Sequence, residues 1–336
     1  MERALCCRRK LSMKRVLFLF VTMPVGGAEM LCFHFLKGLD RLRFEPLTCC
    51  IKEPGELGLE IRGAGHEVIS LGRMRTRRFE TETVFALANL LKSRQIDIIH
   101  TNMYHANFYG RLGALLLGRR RPRIVTAVHS LYTERKPHRL LISRLLNRWT
   151  DRILAVSEAV REDVLRYEGA EPRRVEVLPL GADFERLDVD LSPEKAKERI
   201  GLSPSDWVLG MVGRLVEPKG HRYLLESLAI LVGRGLPLKL VIAGGGRLET
   251  ELRRQVAGSG LENHVRLLGT RRDIPELYRA MDLYVMASVS EAASMALLEA
   301  MAVGLPCVVT SVGGMVHLVD GGRCGRLVPP ADAVAL

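Results

Sequence analysis

The fold is first indicated by residues 14–39, which read KRVLFLFVTMPVGGAEMLCFHFLKGL. Apolar residues fill positions 16–21 without alternation, as in a strand buried on both faces of a parallel sheet. Two glycines then predict a tight turn, and apolar residues at helical spacing follow from Ala28 onward. The stretch therefore predicts the strand, glycine turn and helix with which a doubly wound α/β sheet begins.

The same region also has the layout of a secretory signal. Arginines and lysines at positions 8–15 precede the apolar run, and small residues follow it at positions 26–28. The helical pattern continues beyond this point without a change in character, which favours the buried strand. We expect residues 1–12 to be an unstructured leader, and the run at 16–25 is too short to span a bilayer.

Strand and helix patterns alternate to the end of the chain. The 336 residues are 47% hydrophobic and 26% charged, which is enough apolar material for two domains. We predict a first domain at 13–182, a connector at 183–204 and a second domain at 205–336, both doubly wound and facing a cleft. The predicted strands lie at 16–21, 46–51, 67–71, 96–100, 124–128, 152–156, 175–178, 208–212, 238–243, 265–268, 283–286, 307–310 and 326–328.

Positive charge is concentrated in the first half of the chain. Residues 1–182 hold 32 lysines and arginines against 19 acidic residues, whereas residues 183–336 hold 18 against 19. Such a basic half favours anionic partners, among which a membrane surface is preferred to nucleic acid because no nucleic-acid recognition motif is found. The arginine-rich loop at 73–78 is the preferred membrane contact. The arginine-flanked apolar stripe at 139–149 is expected to pack on its own sheet, with a membrane as the alternative.

The cysteines and acidic pairs do not predict a metal site. Seven cysteines occur without any CxxC spacing, so neither a disulfide framework nor a zinc site is expected, and a reducing cytosol is the simplest setting. The sequence Asp188-Val-Asp190 lies in the predicted connector and is expected to be solvated.

Two cations follow the first strand of the predicted second domain. Residues 213–220 read GRLVEPKG, in the same topological position as the Gly26-Gly27 turn of the first domain. Arg214 and Lys219 flank a proline-containing loop, so both side chains can converge on one diphosphate. The Gly26-Gly27 turn presents backbone N–H groups to an anion, or is simply a tight turn.

Two carboxylates occur in residues 291–299, which read EAASMALLE. If Glu291 precedes a helix that contains Glu299, the two groups suit separate sets of hydroxyls on one elongated ligand. The spacing is a poor one for paired acid–base hydrolysis. The helix is expected to open toward a phosphate through the free backbone N–H groups of three small residues: Ala292, Ala293 and Ser294.

Taken together, these motifs resemble a family 4 retaining glycosyltransferase of the GT-B type, and the likeness runs from about residue 14 to residue 332. In the first half the matching motifs are Gly26-Gly27-Ala28-Glu29, Asp97-Ile-Ile-His100, Thr126-Ala-Val-His129, Ile153-Leu-Ala-Val-Ser157 and Leu178-Pro-Leu-Gly-Ala-Asp183. In the second half they are Gly213-Arg214 with Lys219-Gly220, Leu240-Val-Ile-Ala-Gly-Gly-Gly246, Asp282-Leu-Tyr-Val, the segment from Glu291 to Glu299, Ala300-Met-Ala-Val-Gly-Leu-Pro306 and Gly313-Gly314.

The resemblance implies a role for each candidate residue. Glu299 is expected to bind the ribose hydroxyls, Glu291 the transferred sugar, and His129 to lie near the sugar and the acceptor. The donor would be a nucleotide-diphosphate sugar, transferred with retention and without a metal or other cofactor. Its phosphates are expected to contact Gly26, Gly27, Arg214 and Lys219.

Two features depart from the family pattern. His317 stands where a glutamate is usual after the second Gly-Gly turn, and the sequence ends at Leu336, before the expected helices that cross back to the first domain. The preferred interpretation is a cytoplasmic, peripheral membrane glycosyltransferase acting on a lipid-linked or envelope glycan. A nonhydrolysing sugar-nucleotide epimerase and a catalytically silent membrane scaffold remain alternatives. A nicotinamide dehydrogenase is disfavoured because GxGxxG is absent.

Overall fold

The computed structural model describes residues 13–74, 79–132 and 136–336. The chain divides into two compact units, Met1–Pro179 and Leu180–Leu336, and each contains a parallel sheet covered by helices. Every predicted strand is present, with ends within two residues of the prediction. The α/β class and the two Rossmann-like folds expected of a GT-B protein are therefore confirmed.

The first unit begins with the strand, turn and helix predicted at residues 14–39. Its strands are β1 (Lys14–Phe20), β2 (Phe44–Cys50), β3 (Val68–Ser70), β4 (Ile98–Asn102), β5 (Arg123–Val128), β6 (Arg152–Ala155) and β7 (Val175–Val177). Its helices are α1 (Gly27–Gly38), α2 (Gly55–Gly63), α3 (Thr81–Ser93), α4 (Met103–Leu115), α5 (Pro137–Leu146) and α6 (Glu158–Glu168).

The second unit begins with two short helices and then repeats the alternation. Its strands are β8 (Trp207–Val212), β9 (Leu238–Ala243), β10 (Val265–Leu267), β11 (Leu283–Met286), β12 (Cys307–Thr310) and β13 (Arg326–Val328). Its helices are α7 (Phe184–Leu187), α8 (Pro193–Arg199), α9 (His221–Gly233), α10 (Glu249–Gly258), α11 (Ile274–Arg279), α12 (Met295–Ala302) and α13 (Met315–Leu318).

Both sheets have the strand order of a doubly wound fold. The first sheet runs β3-β2-β1-β4-β5-β6-β7 and the second runs β10-β9-β8-β11-β12-β13, with all pairings parallel. In each sheet the order reverses at one point, between β1 and β4 in the first and between β8 and β11 in the second. Ligands of such folds bind at this switch point, beyond the carboxyl ends of the strands.

The continuous apolar character of β1 follows from burial on both faces. Leu17 and Leu19 point into one cluster with the helices α3 and α4, while Phe18 and Phe20 belong to a second cluster with α1 and α2. All four side chains are buried. A strand covered on one face only would alternate between apolar and polar residues. The unbroken apolar run of β1 is therefore explained by the helices that cover both faces of the sheet.

The predicted connector at 183–204 is part of the second unit. Leu187 of α7 is buried in the core of that unit. Lys197 of α8, which is buried, donates to both carboxylate oxygens of Asp282 at 2.9 and 3.1 Å. These contacts fix α7 and α8 against the second sheet.

The apolar stripe of α5 is divided between two sides of the helix: Leu146 is buried and Leu140 and Ile142 are half-buried, so the expected packing on the sheet holds for part of the stripe only. Leu141, Leu145 and Trp149 are exposed. The reason is that the buried Asn147, in the 3-10 turn after α5, accepts a 2.9 Å hydrogen bond from the buried guanidinium of Arg111. Burying this polar pair leaves Leu141 and Leu145 on the solvent side of the helix.

Some predictions fall outside the described residues. Positions 1–12 and 75–78 are among them, so the leader and most of the arginine-rich loop have no structural description. Within the described ranges, no helix is both long enough and apolar enough to cross a membrane. Asp188 and Asp190 are exposed, as predicted.

Candidate functional site

The switch point of the second sheet is formed by the loops after β8 and β11. The backbone N–H of Val289 donates to the carbonyl of Pro218 at 2.8 Å, which joins the two loops. Gly220 adopts φ 68°, and a Cβ at this position would lie 1.9 Å from the carbonyl oxygen of Ala287. No other residue fits there without moving backbone, so the tight contact explains the glycine after Lys219.

Lys219 and Glu291 are brought together at this switch point. Nζ of Lys219 lies 2.5 Å from Oε2 of Glu291, and their side chains are 17% and 14% exposed. The aliphatic part of the lysine lies along Gly213, whose Cβ would be 3.6 Å from Cε of Lys219. The hydroxyl of Ser288, at 3.3 Å, also donates to Glu291. Two residues predicted from separate motifs are therefore in direct contact.

Arg214 provides an exposed cation on the same loop. Its neighbours are fixed, because Gly213 N–H donates to the carbonyl of Ala243 and Leu215 N–H to that of Gly245, each at 2.9 Å. Among residues 13–74, 79–132 and 136–336, the Arg214 guanidinium has no ion-pair or hydrogen-bond partner. A rigid backbone therefore carries a guanidinium that is free to bind an anion.

The helix between the two candidate glutamates starts later than predicted. α12 begins at Met295, and Ser294 is its N-cap, with Oγ accepting from the N–H of Leu297 at 3.2 Å. Ala292 and Ala293 therefore precede the helix and do not form its first turn. The first-turn N–H groups without an intrahelical acceptor are those of Met295 and Ala296. The sequence signal was the serine, a preferred N-cap residue.

Glu299 lies within α12 and has two partners that the motifs did not reveal. The hydroxyl of Tyr278 lies 3.0 Å from Oε2, and Nη1 of Arg186 lies 3.7 Å from Oε1. Burial raises the pKa of Glu299, while the Tyr278 hydrogen bond and the Arg186 charge oppose that shift. Arg186 follows the matched segment ending at Asp183 by three residues, whereas nothing in the sequence around Tyr278 indicated its role.

In the first unit, Gly26 and Gly27 lie at the start of α1. Gly26 is the N-cap and Gly27 the first helical residue. A Cβ on Gly26 would lie 2.6 Å from Oε2 of the buried Glu29, so this carboxylate faces the helix N-terminus. A carboxylate there is favourable for the helix dipole. A phosphate at the same point would require the Glu29 side chain to move.

His129 directly follows β5 and belongs to a chain of hydrogen bonds. Its Nε2 lies 3.1 Å from Oδ1 of Asn102, and Nδ2 of Asn102 lies 3.1 Å from Nδ1 of His100. The amide oxygen can only accept, so His129 must donate through Nε2–H when neutral. Nδ1 of His129 then carries the lone pair. Asn102 ends β4 and was not predicted as a site residue.

Desolvation keeps His129 and His100, the two histidines joined through Asn102, neutral near physiological pH. It lowers the pKa of His129 to about 4 and that of His100 to about 4, the latter with a contribution from the charge of His129. The two rings border a cavity of about 20 Å³, which also contacts Leu31 and Phe35. A space of this size holds about one water molecule.

The remaining candidates are placed apart from these groups. His317 lies exposed on α13, and Glu299 forms no hydrogen bond or ion pair with Lys219 or Glu291, both of which are described residues. Within the part of the chain that the structure describes, no cluster of three or more histidine, cysteine or acidic residues is arranged to hold a metal ion.

Comparisons with known proteins agree on one family. Residues 25–186 match the family described as Glycosyltransferase Family 4, and residues 206–336 match the one described as Glycosyl transferases group 1. The UDP-Gal:alpha-D-GlcNAc-diphosphoundecaprenol alpha-1,3-galactosyltransferase of Escherichia coli is 30% identical over 263 residues, 75% of this chain and 67% of that protein. A Bacillus subtilis glycosyltransferase designated EpsF is 29% identical over 93% of this chain and 82% of its own length.

Solved structures of glycosyltransferase-type folds resemble this chain over most of its length. The crystal structure of Anabaena HepE in complex with UDP and glucose aligns with a TM-score of 0.83 and 24% identity, covering 96% of this chain and 87% of that one. The family matches span both units, and they include the loops that carry Lys219, Glu291 and His129. The chain therefore belongs to the group 1, family 4 glycosyltransferases.

Proposed function

We propose that this glycosyltransferase uses a nucleotide-diphosphate sugar and transfers the hexosyl group, with retention, to a hydroxyl of a lipid-linked or envelope glycan. The observation that carries the proposal is the contact between Lys219 and Glu291, on the same loop as Arg214, which has no partner among the described residues. It places cations and a carboxylate together at the switch point of a doubly wound sheet. A diphosphate joined to a sugar has the matching charges and hydroxyls.

The two cations are suited to the leaving group. Breaking the bond between the sugar C1 and the phosphate oxygen leaves the electron pair, and thus negative charge, on the diphosphate. Arg214 offers a planar fork of N–H donors to this charge. The Lys219 ammonium has three donors, so it can hold Glu291 and a phosphate oxygen at once. The first-turn N–H groups of α12 add a third source of stabilisation.

The two glutamates are proposed to bind the two ends of the donor. Glu291 would accept from hydroxyls of the transferred sugar, and Glu299 from those of the ribose. Tyr278 contacts only one oxygen of Glu299, and Arg186 remains 3.7 Å from the other. Each carboxylate oxygen accepts more than one hydrogen bond, so both partners and a vicinal diol can be satisfied together.

The proton balance requires no metal in this proposal. The acceptor oxygen forms its bond to C1 on the face from which the diphosphate departs, and its proton passes to the departing phosphate oxygen. His129 is proposed to orient a sugar or acceptor hydroxyl, because its Nδ1 carries a lone pair in the tautomer set by Asn102. A neutral histidine suits this role, because its unprotonated Nδ1 can accept a hydrogen bond from the hydroxyl.

The proposed acceptor and location rest on charge and on one relative. The first 182 residues carry a net charge of +13, which favours a cytoplasmic protein bound peripherally to an anionic membrane. The E. coli relative is named for an acceptor joined to diphosphoundecaprenol. A lipid-linked glycan on the inner face of the cytoplasmic membrane meets both observations.

The decisive experiment combines donor binding with product analysis. Thermal unfolding is measured with UDP, GDP and ADP sugars, and one of these is expected to stabilise the chain. Arg214→Ala should lose the response, whereas Arg234→Ala, which removes an exposed arginine after α9, should keep it. Release of the nucleotide only when a glycan acceptor is present, with unchanged anomeric configuration, is the expected reaction. Conversion of the sugar nucleotide without any acceptor would instead identify an epimerase.

A further inference from the structure

The outer face of α5, defined as Leu141, Leu145 and Trp149, is an apolar surface without a partner in the described chain. These side chains are 69%, 51% and 43% exposed. Their spacing of four residues places them in one row along α5 and the 3-10 turn that follows it. A row of large apolar side chains left open to water marks a surface that binds something.

The orientation of α5 is fixed by polar contacts on its inner side. Asn147 accepts from Arg111 at 2.9 Å and donates to Oε2 of the buried Glu168 at 3.1 Å. Nη1 of Arg174 donates to the carbonyl oxygens of Arg148 and Thr150 at 3.2 and 3.0 Å. Rotating the helix to bury Leu141 and Leu145 would leave buried charged groups unpaired, which is strongly unfavourable. The outer face is therefore a stable feature of the folded unit.

Two arginines border the outer face. Arg144 and Arg148 are exposed and follow Leu141 and Leu145, respectively, by three residues. Neither has an ion-pair partner among the residues that the structure describes. Leucine and tryptophan beside unpaired arginines form the pattern of a helix that lies in the interface of an anionic bilayer.

We propose that the outer face of α5 docks on an anionic lipid surface, with the leucines and Trp149 entering the acyl boundary and the arginines binding lipid phosphates. A second copy of the chain fits this face less well, because a symmetric contact would bring Arg144 and Arg148 close to their own counterparts. α5 begins eight residues after His129, so the docked helix starts near the carboxyl ends of the strands. In this respect the surface deepens the proposed function, and its link to a lipid-borne acceptor rests on that function.

The chain provides its own fluorescent probe for this surface. Trp149 and Trp207 are its two tryptophans, and Trp207 is exposed at the start of β8. In Trp207→Phe, emission of Trp149 is expected to shift to shorter wavelength with vesicles of equal phosphatidylglycerol and phosphatidylcholine. Acyl-brominated lipids should quench it. Vesicles of phosphatidylcholine alone should bind at least tenfold more weakly.

Matched variants separate this face from the general charge and apolarity of the unit. Leu141→Asp with Leu145→Asp should reduce vesicle binding at least tenfold, whereas Leu59→Asp with Leu116→Asp, which alters two similarly exposed leucines of α2 and the end of α4, should not. Arg144→Gln with Arg148→Gln should weaken binding about as strongly. The control changes a second pair of exposed arginines, Arg119→Gln with Arg120→Gln, and should bind vesicles more strongly than the α5 arginine variant.

Two results would overturn the proposal. One is equal vesicle binding by the α5 variants and their matched controls. The other is sedimentation as a dimer without lipid that Leu141→Asp with Leu145→Asp converts to a monomer, which would assign the face to a second copy. Nucleotide-induced thermal stabilisation is measured in parallel and is expected to persist in every variant. If the chain binds vesicles but releases no nucleotide in the presence of an acceptor, the result contradicts the proposed glycosyl transfer and leaves the membrane surface supported.

Discussion

The two units share one strand order, yet the candidate sites at the ends of their strands differ in electrostatic character. In the first unit, His129 and His100 are half-buried, neutral and joined through Asn102 beside a small cavity. In the second unit, Lys219 and Glu291 form an ion pair next to an exposed arginine. The basic unit thus has the neutral site, and the unit with a net charge of −1 has the charged site.

This comparison shows that the net charge of a unit does not indicate the charge of its site. Net charge is a property of the surface, which steers partners over long distances. The charge of a site depends on burial and on direct contacts, because desolvation neutralises histidines while a close counter-charge keeps an ion pair. We therefore expect the first unit to meet hydroxyls and the second unit to meet phosphates.

The largest expected effect is loss of the charged site. Lys219→Met should reduce kcat/KM about 10²- to 10³-fold, the typical cost of removing one donor that stabilises developing negative charge. It also leaves Glu291 without its cation. Initial rates of nucleotide release with acceptor provide the measurement. Lys195→Met, which alters an exposed lysine on α8, is the control. Near-normal rates in Lys219→Met would show that the second unit does not stabilise the leaving group.

The next effect concerns the stability of the first unit. Arg111→Met should lower its free energy of unfolding by about 3 kcal/mol, because the change leaves Asn147 and Glu168 buried without their cation. Trp149 in Trp207→Phe reports unfolding of the first unit, and Trp207 in Trp149→Phe reports the second. Denaturant curves should shift for the Trp149 signal only. An equal shift of both signals would show that the units do not unfold separately.

Acidification should affect the first unit more than the second. A histidine whose folded pKa lies near 4 binds protons on unfolding below its ordinary value of about 6.5, so stability falls as pH decreases through that range. From pH 8 to pH 5.5 the loss is about 1.4 kcal/mol per histidine. The first unit has His100 and His129, whereas the second has His221, also lowered to about 4 by burial and the Lys219 charge.

Glu299 increases this difference. Its raised pKa favours the folded second unit at low pH, and that contribution is lost as pH rises. The two single-tryptophan variants provide the measurement through thermal unfolding between pH 8 and pH 5.5. If Trp149 and Trp207 report equal losses of stability on acidification, the lowered pKa values assigned to His100 and His129 are contradicted.

The smallest expected effect tests how the neutral site is oriented. Asn102→Ala should lower kcat/KM about fivefold, since among its lost contacts the hydrogen bond that orients His129 is worth about 1 kcal/mol. Asn102→Asp should keep the contact but raise the pKa of His129, because a carboxylate favours imidazolium. The acid limb of the pH–rate profile should then move to higher pH. An unmoved acid limb with normal thermal stability would show that Asn102 does not position His129.

The sequence alone was sufficient to predict the fold, because the strands of a parallel sheet have a recognisable pattern of apolar residues. Burial on both faces requires continuous apolar runs, as at Leu17, Phe18 and Leu19, and glycine turns separate them from helices of period 3.6. The sequence also indicated four candidate site residues, because each follows a predicted strand or belongs to a motif of fixed spacing. They are Arg214, Lys219, Glu291 and His129. That order of motifs predicted the family, which the comparisons with known proteins confirm.

The tertiary structure decided the contacts between segments distant along the chain. The pairing of Lys219 with Glu291, of His129 with Asn102 and of Glu299 with Tyr278 joins residues on different elements, which no local pattern records. It likewise decided that α5 turns Leu141 and Leu145 outward, because Asn147 accepts a hydrogen bond from Arg111 of another helix. Local periodicity fixes which residues share a helix face, but only the buried polar partners determine which face is turned inward.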